Sequence, residues 1–255
     1  MTVKVYTRSL NPILYRKAMA LCNLPYEKIR LTGTSAEGYL YQIINATDAD
    51  WVVNIDEDAF VCNTEALESL LEYCMENGYV NCGMPDGGVV HLRDGNPLVT
   101  NPYFNIFNAK AIREQIANFS THASLPDPNR FTQKELLVGS YDFDNLDGEP
   151  YYPFFIWLSN HFKTLYLKAN NHPDGESSIL YNHHGEPFLI HTWYSRFYNR
   201  DSFHTHRIDN AFREACRIQG VEPHIPLGDT VRCIVIRAYN SLIKKSIGMK
   251  RLLCQ

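Results

Sequence analysis

The sequence predicts an α/β fold in which helices cover both faces of a mostly parallel central sheet. Short apolar runs rich in β-branched residues alternate with helical patterns through the first half of the chain. The run at 51–55 is mostly apolar, as expected of a strand buried on both faces, and it ends in acids. At 255 residues and 45% hydrophobic content, the chain can form one such domain with a substantial core.

Strands and helices alternate along the first hundred residues. Asn11 and Pro12 open the first helix, because proline is tolerated in a first helical turn. Gly78 is expected to end the third helix. The predicted strands are 3–7, 26–31, 51–55 and 79–82, and the predicted helices are 12–21, 36–45 and 65–77.

The second half continues the alternation less regularly. The aromatic run at 101–107 is predicted to be a strand, and Asn108 is predicted to be the N-cap of the helix that follows. Prolines and asparagines at 120–130 indicate an exposed loop. The remaining predicted elements are helices at 109–119, 152–162 and 208–219 and strands at 163–167 and 188–190.

The central feature of the sequence is the acidic triplet Asp56, Glu57 and Asp58, directly after the predicted strand 51–55. Carboxylates at the end of a buried strand are costly unless a cation meets them. Hard divalent cations prefer carboxylate oxygens and keep positions open for phosphate. Asp56 and Asp58 are therefore candidate ligands of Mg2+ or Mn2+. An acidic loop that only caps the next helix is the alternative interpretation.

Further polar residues are expected on the same rim, because ligands bind beyond the carboxyl ends of strands in such sheets. Thr7 ends the first predicted strand and Arg8 follows it, and Arg8 can pair with a phosphate. Asp86 lies in a glycine-rich turn after the strand 79–82, where the backbone can approach a ligand closely. A surface arginine in a loop and an ordinary tight turn are the alternatives.

The triplet Asp56–Asp58, placed between a strand and a helix after a strand–helix–strand–helix pattern, resembles nucleotide-sugar glycosyltransferases of the GT-A fold, of the bacterial, family 2-like type. The resemblance covers roughly residues 1–200. It implies a three-layer sandwich with a Rossmann-like sheet, in which the triplet's aspartates hold a metal on the donor diphosphate. It also implies that Thr7 and Arg8 border the nucleotide and that Asp86 lies beside the donor sugar.

The same resemblance implies a catalytic carboxylate that takes the proton from the acceptor hydroxyl. Glu149 is the first candidate and Asp147 the second, because both lie in an acidic turn before the predicted helix 152–162. Pro150 departs from the family pattern, in which an acid commonly follows this glutamate. The alternative is a turn whose acids only favour the helix dipole.

His191 follows the predicted strand 188–190. Many members of the family place a histidine near the C-terminal end as a further ligand of the same cation. Imidazole is a better ligand for Mn2+ than for Mg2+, so His191 favours manganese. Arg196 follows shortly after and can contact the donor diphosphate. A structural histidine is the alternative for His191.

Composition excludes some classes of protein and predicts a compartment. The net charge of −4 gives no general case for binding nucleic acid. Seven cysteines without zinc-type spacing indicate reduced core thiols in a cytosolic protein. The N-terminus lacks the apolar region of a signal peptide, and no apolar run reaches membrane-spanning length. We therefore expect a cytoplasmic protein.

We expect one catalytic domain at 1–225, in which residues 1–108 bind the nucleotide-sugar and residues 109–225 bind the acceptor. Residues 226–255 are apolar and basic at once and predict an amphipathic helix. Such a helix suits an anionic surface such as the inner face of a membrane, where the protein would be peripheral. A terminal helix packed on the domain is the alternative.

With these features, the resemblance to GT-A glycosyltransferases implies a metal-dependent hexosyltransferase of polysaccharide biosynthesis. It would move a sugar from a UDP- or GDP-sugar to a glycan or a lipid-linked acceptor. A nucleotidyltransferase is one alternative, although the turn after the first strand lacks the glycines of a phosphate loop. A non-catalytic carbohydrate- or protein-binding module is the other.

Overall fold

A computed structural model describes residues 1–35, 38–45, 48–87, 95–118, 125–136, 141–222 and 231. The strands are β1 Val3–Arg8, β2 Glu27–Leu31, β3 Trp51–Ile55, β4 Ala59–Val61, β5 Asn81–Gly83, β6 Phe104–Phe107, β7 Thr164–Tyr166, β8 Ala169–Asn171, β9 Ser178–Tyr181 and β10 Pro187–His191. The α-helices are α1 Pro12–Leu21, α2 Gly38–Asn45, α3 Thr64–Glu76, α4 Ala109–Gln115, α5 Tyr152–His161 and α6 Ser202–Gln219.

The main sheet has six strands in the order β2-β1-β3-β6-β5-β7. Strands β1, β2 and β3 pair in parallel, as do β5 and β7, while β6 runs antiparallel to both of its neighbours. The sheet is therefore mostly parallel, and the predicted α/β class is confirmed. The carboxyl ends of β1 and β3 lie side by side at one edge, which is where the acidic triplet begins.

Alternate residues of the central strands face opposite layers. Val53 belongs to the apolar cluster shared with α3, whereas Val52 belongs to the cluster shared with α2, α4 and α5. All residues of β3 are buried, as the apolar run at 51–55 predicts. The result is a sheet with helices on both faces, and the strand that precedes the acids is buried along its whole length.

A second, antiparallel sheet has the order β4-β10-β9-β8. The strand at 188–190 is confirmed as part of β10, but β4, β8 and β9 were not predicted. Strand β4 starts directly after Asp58, and His191 of β10 pairs with Ala59 of β4. This pairing brings His191 back beside the acidic triplet.

Helix boundaries follow the cap residues. Asn11, Asn63 and Asn108 each accept a hydrogen bond from a backbone N–H of the first turn, and the predicted cap at Asn108 is confirmed. Gly78 has a φ of +66°, as expected just beyond the end of α3. The predicted start of the last helix at 208 was wrong. Asp201 caps α6, so the helix begins at Ser202. Its first turn consists mostly of polar residues, so the helical spacing of apolar residues is not visible there in the sequence.

The predicted C-terminal helix at 226–255 lies outside the described residues, apart from Val231. The division at 108 between donor and acceptor halves stays a prediction. Within the ranges that the structure describes, no helix is long and apolar enough to cross a membrane. The cysteines in those ranges are buried free thiols, namely Cys22, Cys62, Cys74, Cys82 and Cys216.

A histidine between two carboxylates joins the second sheet to α6. His172 Nε2 lies 3.0 Å from an oxygen of Glu214, and its Nδ1 lies 3.3 Å from Asp174, which also faces Arg207 at 3.6 Å. These four residues line a cavity that His206 of α6 also borders. The hydrogen bond to Asp174, assisted by Glu214, raises the pKa of His172.

We expect His172→Gln to destabilise the protein more at pH 5.5 than at pH 9. The raised pKa means that protonated His172 adds stability fully below its unfolded pKa of about 6.5 and loses it as pH rises through the folded pKa. Urea unfolding should show a cost on the order of 1 kcal/mol at pH 5.5 that shrinks towards pH 9. His206→Gln, an exposed neighbour, is the control. An equal cost at both values of pH would contradict the assignment.

Candidate metal and donor site

The acidic triplet forms a tight turn that connects the two sheets. The backbone N–H of Asp56 donates to the carbonyl of Tyr103 at 2.8 Å, and the N–H of Ala59 donates to the carbonyl of Asp56 at 3.2 Å. The carbonyl of Asp58 accepts bonds from the backbone N–H and the hydroxyl of Thr192 at 3.0 and 3.1 Å. The position of Asp58 is therefore fixed relative to the end of β10.

Asp56, Asp58 and His191 form a compact cluster of metal-ligating side chains. One candidate ligand atom from each lies within 4.8 Å of the others. His191 Nε2 is 3.3 Å from a carboxylate oxygen of Asp58. Asp58 and His191 are almost fully buried, whereas Asp56 is half-buried. The structure thus brings together the three residues that were predicted as metal ligands.

The electrostatics of the cluster favour a cation. Desolvation raises the pKa of Asp56 well above its ordinary value, and the negative charges of Asp58 and Glu57 raise it further, while Arg8 opposes them. Within the described part of the chain, the buried Nδ1 of His191 has no hydrogen-bond partner. Two carboxylates and one imidazole are a donor set that fits Mn2+. The residues present therefore fit a divalent metal ion.

Aromatic rings fix the plane of the His191 imidazole. The ring of Tyr103 stacks on it at 3.8 Å between centroids and 12° between planes. Trp193 packs edge-on against both rings, at 4.3 Å from His191 and 5.4 Å from Tyr103. Because its ring is already held in one orientation, His191 would lose little side-chain entropy on binding a metal ion. Sequence reasoning missed Tyr103, and the one available signal was its place in the aromatic run at 101–107.

The cluster opens into a cleft of about 220 Å3. Arg8 lies beside it with its guanidinium 5.7 Å from the centroid of the Tyr39 ring. The Nε of Arg8 is buried and, among the described residues, has no hydrogen-bond partner. The cleft is lined by Arg8, Tyr39, Asp56, Asp58, Asn101, Pro102, Tyr103, Glu149, Tyr151, His191, Trp193, Tyr194 and Ser195.

The remaining predicted site residues do not line this cleft. Thr7 is fully buried in β1, where its hydroxyl lies 3.9 Å from the sulfur of Met19. Asp147 and Arg196 are exposed, and the Arg196 guanidinium lies 5.3 Å from the ring centroid of Phe197. Their predicted roles stay predictions. Of the two candidate catalytic acids, Glu149 is the one that faces the cleft.

Asp86 lies behind the cleft wall. Its fully buried carboxylate accepts hydrogen bonds from Asn101 at 2.7 Å, from the hydroxyl of Tyr152 at 2.9 Å and from the hydroxyl of Tyr151 at 3.4 Å. Asn101 and Tyr151 themselves line the cleft. Asp86 is therefore placed to hold two cleft residues in position.

Glu57 supports the turn from below. Its buried carboxylate accepts from the hydroxyl of Ser9 at 2.8 Å and from the backbone N–H of Asn11 at 2.6 Å. Burial raises the pKa of Glu57 to about 7. These bonds join the acidic turn to the loop that follows Arg8, the last residue of β1. Glu57 thus stabilises the turn through these bonds. The sequence pattern does not distinguish this structural role from that of the metal-ligand candidates Asp56 and Asp58.

One wall of the cleft contains two consecutive residues in left-handed conformation, Trp193 with φ +53° and Tyr194 with φ +59°. A non-glycine residue held in this sparsely populated conformation costs about 1–3 kcal/mol. Such residues cluster at functional sites. Arg207 donates to the carbonyl of Trp193 at 3.1 Å and to the hydroxyl of Ser177 at 2.7 Å. The Trp193 indole N–H donates to Ser178 at 3.0 Å. These contacts hold the strained turn.

No protein-family model matches the sequence, and no curated protein matches it. Among solved structures, the crystal structure of A197 from STIV is 13% identical over 74% of this chain and 94% of that chain, with a TM-score of 0.37. S. aureus TarS 1-349 in complex with UDP-GlcNAc is 11% identical over 65% of this chain and 56% of that chain, with a TM-score of 0.34. TarS 1-349 is 12% identical over 86% and 69%, with a TM-score of 0.37. Likenesses at this level carry no conclusion about activity or ligand.

Proposed function

We propose that the protein is a metal-dependent glycosyltransferase that binds a nucleotide-diphosphate sugar in the cleft and transfers the sugar to a glycan or a lipid-linked acceptor. The observation that carries this proposal is the cluster of Asp56, Asp58 and His191 at the carboxyl edge of the main sheet. Ligands of such sheets bind at this edge.

A diphosphate suits the charges of the cleft. Asp56, Asp58 and His191 would hold Mn2+ or Mg2+, and the imidazole favours Mn2+. Such a cation keeps positions open for phosphate oxygens and stabilises the negative charge on a departing nucleoside diphosphate. Arg8 adds a second positive group, whose buried Nε–H is available to a phosphate oxygen. We assign the diphosphate to the space between the cluster and Arg8.

The rest of the lining suits a nucleoside and a sugar. Tyr39, Tyr151, Trp193 and Tyr194 present amphipathic rings to the cleft, and Asn101 presents an amide. We assign Asp86 a positioning role next to the donor sugar, through its bonds to Asn101 and Tyr151. This distinguishes it from a residue that contacts the sugar directly.

Glu149 is the proposed general base. Among the described residues that line the cleft, it is the only carboxylate besides Asp56 and Asp58. A base must come within hydrogen-bond reach of the acceptor hydroxyl, and a position on the cleft wall meets that requirement. Asp147 is the second candidate, Arg196 a rim contact for the diphosphate, and Thr7 a support for the end of β1 beneath the nucleotide.

We also propose the domain division and location. Residues 1–108 would supply the donor half of a domain at 1–225, and residues 109–225 the acceptor half. Residues 226–255 would form a basic amphipathic helix on an anionic membrane surface, which places the enzyme on the cytoplasmic side.

The test is calorimetric titration of UDP, GDP and their sugar conjugates, and of UTP and GTP for comparison, with and without Mn2+. We expect binding that requires Mn2+ and that weakens about 100-fold in Asp58→Asn, because loss of a ligand costs at least as much as loss of its supporting hydrogen bonds. Asp144→Asn, an exposed aspartate outside the cleft lining, is the matched control and should bind like the unmodified protein.

Three outcomes would overturn the proposal. Binding that is indifferent to Mn2+ and to Asp58 would leave the cluster without a role in the donor site. No binding of any nucleotide would favour the non-catalytic module, whereas Mn2+-dependent binding of nucleoside triphosphates alone would favour a nucleotidyltransferase.

A further inference from the structure

A second, larger groove of about 850 Å3 lies along β7, the edge strand of the main sheet. Residues 129–136 and the hairpin of β9 and β10 border it, together with Tyr73 and Tyr79 at the end of α3. No residue that the structure describes lines both the groove and the metal cleft. It is therefore a separate surface, which the proposed donor site does not use.

The groove concentrates positive charge on an otherwise acidic chain. Arg130, Lys163 and Lys168 line it, whereas Glu135 is the only acid among the described residues of the lining. In the part of the chain that the structure describes, none of these three cations forms an ion pair with a carboxylate. The net charge of the whole chain is −4, so this positive charge is a local feature.

Two of these cations, Lys163 and Arg130, are held in place by neutral partners. Lys163 donates to the carbonyl of Asn77 at 3.0 Å, and its ammonium lies 4.1 Å from the ring centroid of Tyr79. Arg130 donates to the carbonyl of Asn160. Carbonyls and rings restrict the side chains without cancelling their charge. Such groups are preorganised for an anion, which reduces the entropy lost on binding.

Two other kinds of ligand fit this groove poorly. His183 stacks on Tyr73 at 4.0 Å, and Lys163 covers Tyr79, so one face of each ring is already occupied and the stacking platform that single-stranded nucleic acids use is reduced. The amide of Gln133 accepts from the N–H of Tyr166 at 2.9 Å and donates to its carbonyl at 2.7 Å. These bonds close that part of the β7 edge to an added peptide strand.

We propose that this groove binds an anionic glycan, whose carboxylate or phosphate groups contact Arg130, Lys163 and Lys168. Cations that lie along a groove and form no ion pair with a described carboxylate can each contact an acidic group of an extended ligand. The groove then holds the body of a charged acceptor chain while its end reaches the metal cleft. That last step rests on the proposed transferase function, whereas binding of the glycan does not.

The test uses fluorescently labelled oligogalacturonate, which carries carboxylates, and a phosphorylated oligomannose, with neutral maltoheptaose and a single-stranded oligonucleotide for comparison. The variant is Lys163→Gln/Lys168→Gln. The matched control is Lys28→Gln/Lys110→Gln, which changes the net charge equally at exposed positions outside the groove. Affinities are measured by fluorescence anisotropy at two salt concentrations, and Mn2+-dependent nucleotide binding is measured on the same samples.

We expect at least one anionic glycan to bind and maltoheptaose not to bind. The groove variant should bind it about fivefold more weakly or worse, as expected for the loss of two contacts with charged groups, and high salt should weaken binding further. The control should stay within twofold. Which glycan binds identifies the acidic group. Nucleotide binding should be the same in all variants, so failure of the groove is distinguishable from failure of the donor site.

Three results would overturn the inference. The first is that neither anionic glycan binds, and the second is that the control loses as much affinity as the groove variant. The third is that the oligonucleotide binds more tightly than both glycans and loses affinity only in the groove variant, which would assign the groove to nucleic acid.

Discussion

Replacing Asp56 with asparagine is expected to abolish metal-dependent nucleotide binding and to raise the thermal stability of the metal-free protein. Burial and the charges of Asp58 and Glu57 raise the pKa of Asp56, so its ionised form is destabilised when no cation is bound. Asparagine removes one charge and keeps an oxygen that accepts the bond from the Glu57 N–H. Relief of this repulsion by about 1 kcal/mol corresponds to a Tm gain of about 2–4 °C.

Thermal unfolding with and without Mn2+ measures both effects in one experiment. Mn2+ should raise the Tm of the unmodified protein and of Asp144→Asn, and it should leave the Tm of Asp56→Asn unchanged. A lower Tm for metal-free Asp56→Asn, with stabilisation by Mn2+ retained, would show that Asp56 is not a ligand and that its charge is compensated by other groups.

Glu149→Gln is expected to slow turnover by about 100- to 10,000-fold while leaving donor affinity unchanged, because a general base acts on the acceptor and contributes factors of this size. Glutamine keeps the shape of the side chain and loses its basicity. Asp147→Asn, which changes an exposed acid two residues away, should have little effect because Asp147 does not line the cleft.

The measurement is release of nucleoside diphosphate from the preferred donor, with the acceptor or with water in its place, alongside calorimetry of donor binding. A large loss in Asp147→Asn with normal Glu149→Gln would exchange the two roles. Equal and small losses in both variants would remove this turn from the chemistry.

The parts of the fold that the sequence predicts are those in which the decisive interactions are local. Strand β3 is recognisable because its buried residues are adjacent in sequence, and Asn108 caps α4 with a bond that spans only three residues. The location of Asp56 and Asp58 at the carboxyl end of β3 is predictable, because the apolar run ends directly before them. Such features depend on neighbours along the chain rather than on the rest of the fold.

The small second sheet was missed because its strands are short and because β4 depends on a partner that is distant in sequence. Strand β4 has three residues and forms by pairing with β10. The contributions of Tyr103 and Asn101 to the site have the same origin, since each acts on a side chain supplied by another segment. No period or motif marks such residues, and their roles emerge only from tertiary packing.

The connection between Asp58 and Thr192 spans 134 residues, so the carboxylates and the imidazole of the cluster are made at very different times during synthesis. The nascent chain carries Asp56 and Asp58 early, but the cluster has only two of its members until β10 has emerged from the ribosome and paired with β4. Long-range strand pairing is slow because the intervening chain must close first. The proposed metal site is therefore complete only after β10 has been made and has paired with β4, and a growing chain cannot hold an ion with all three groups before that step.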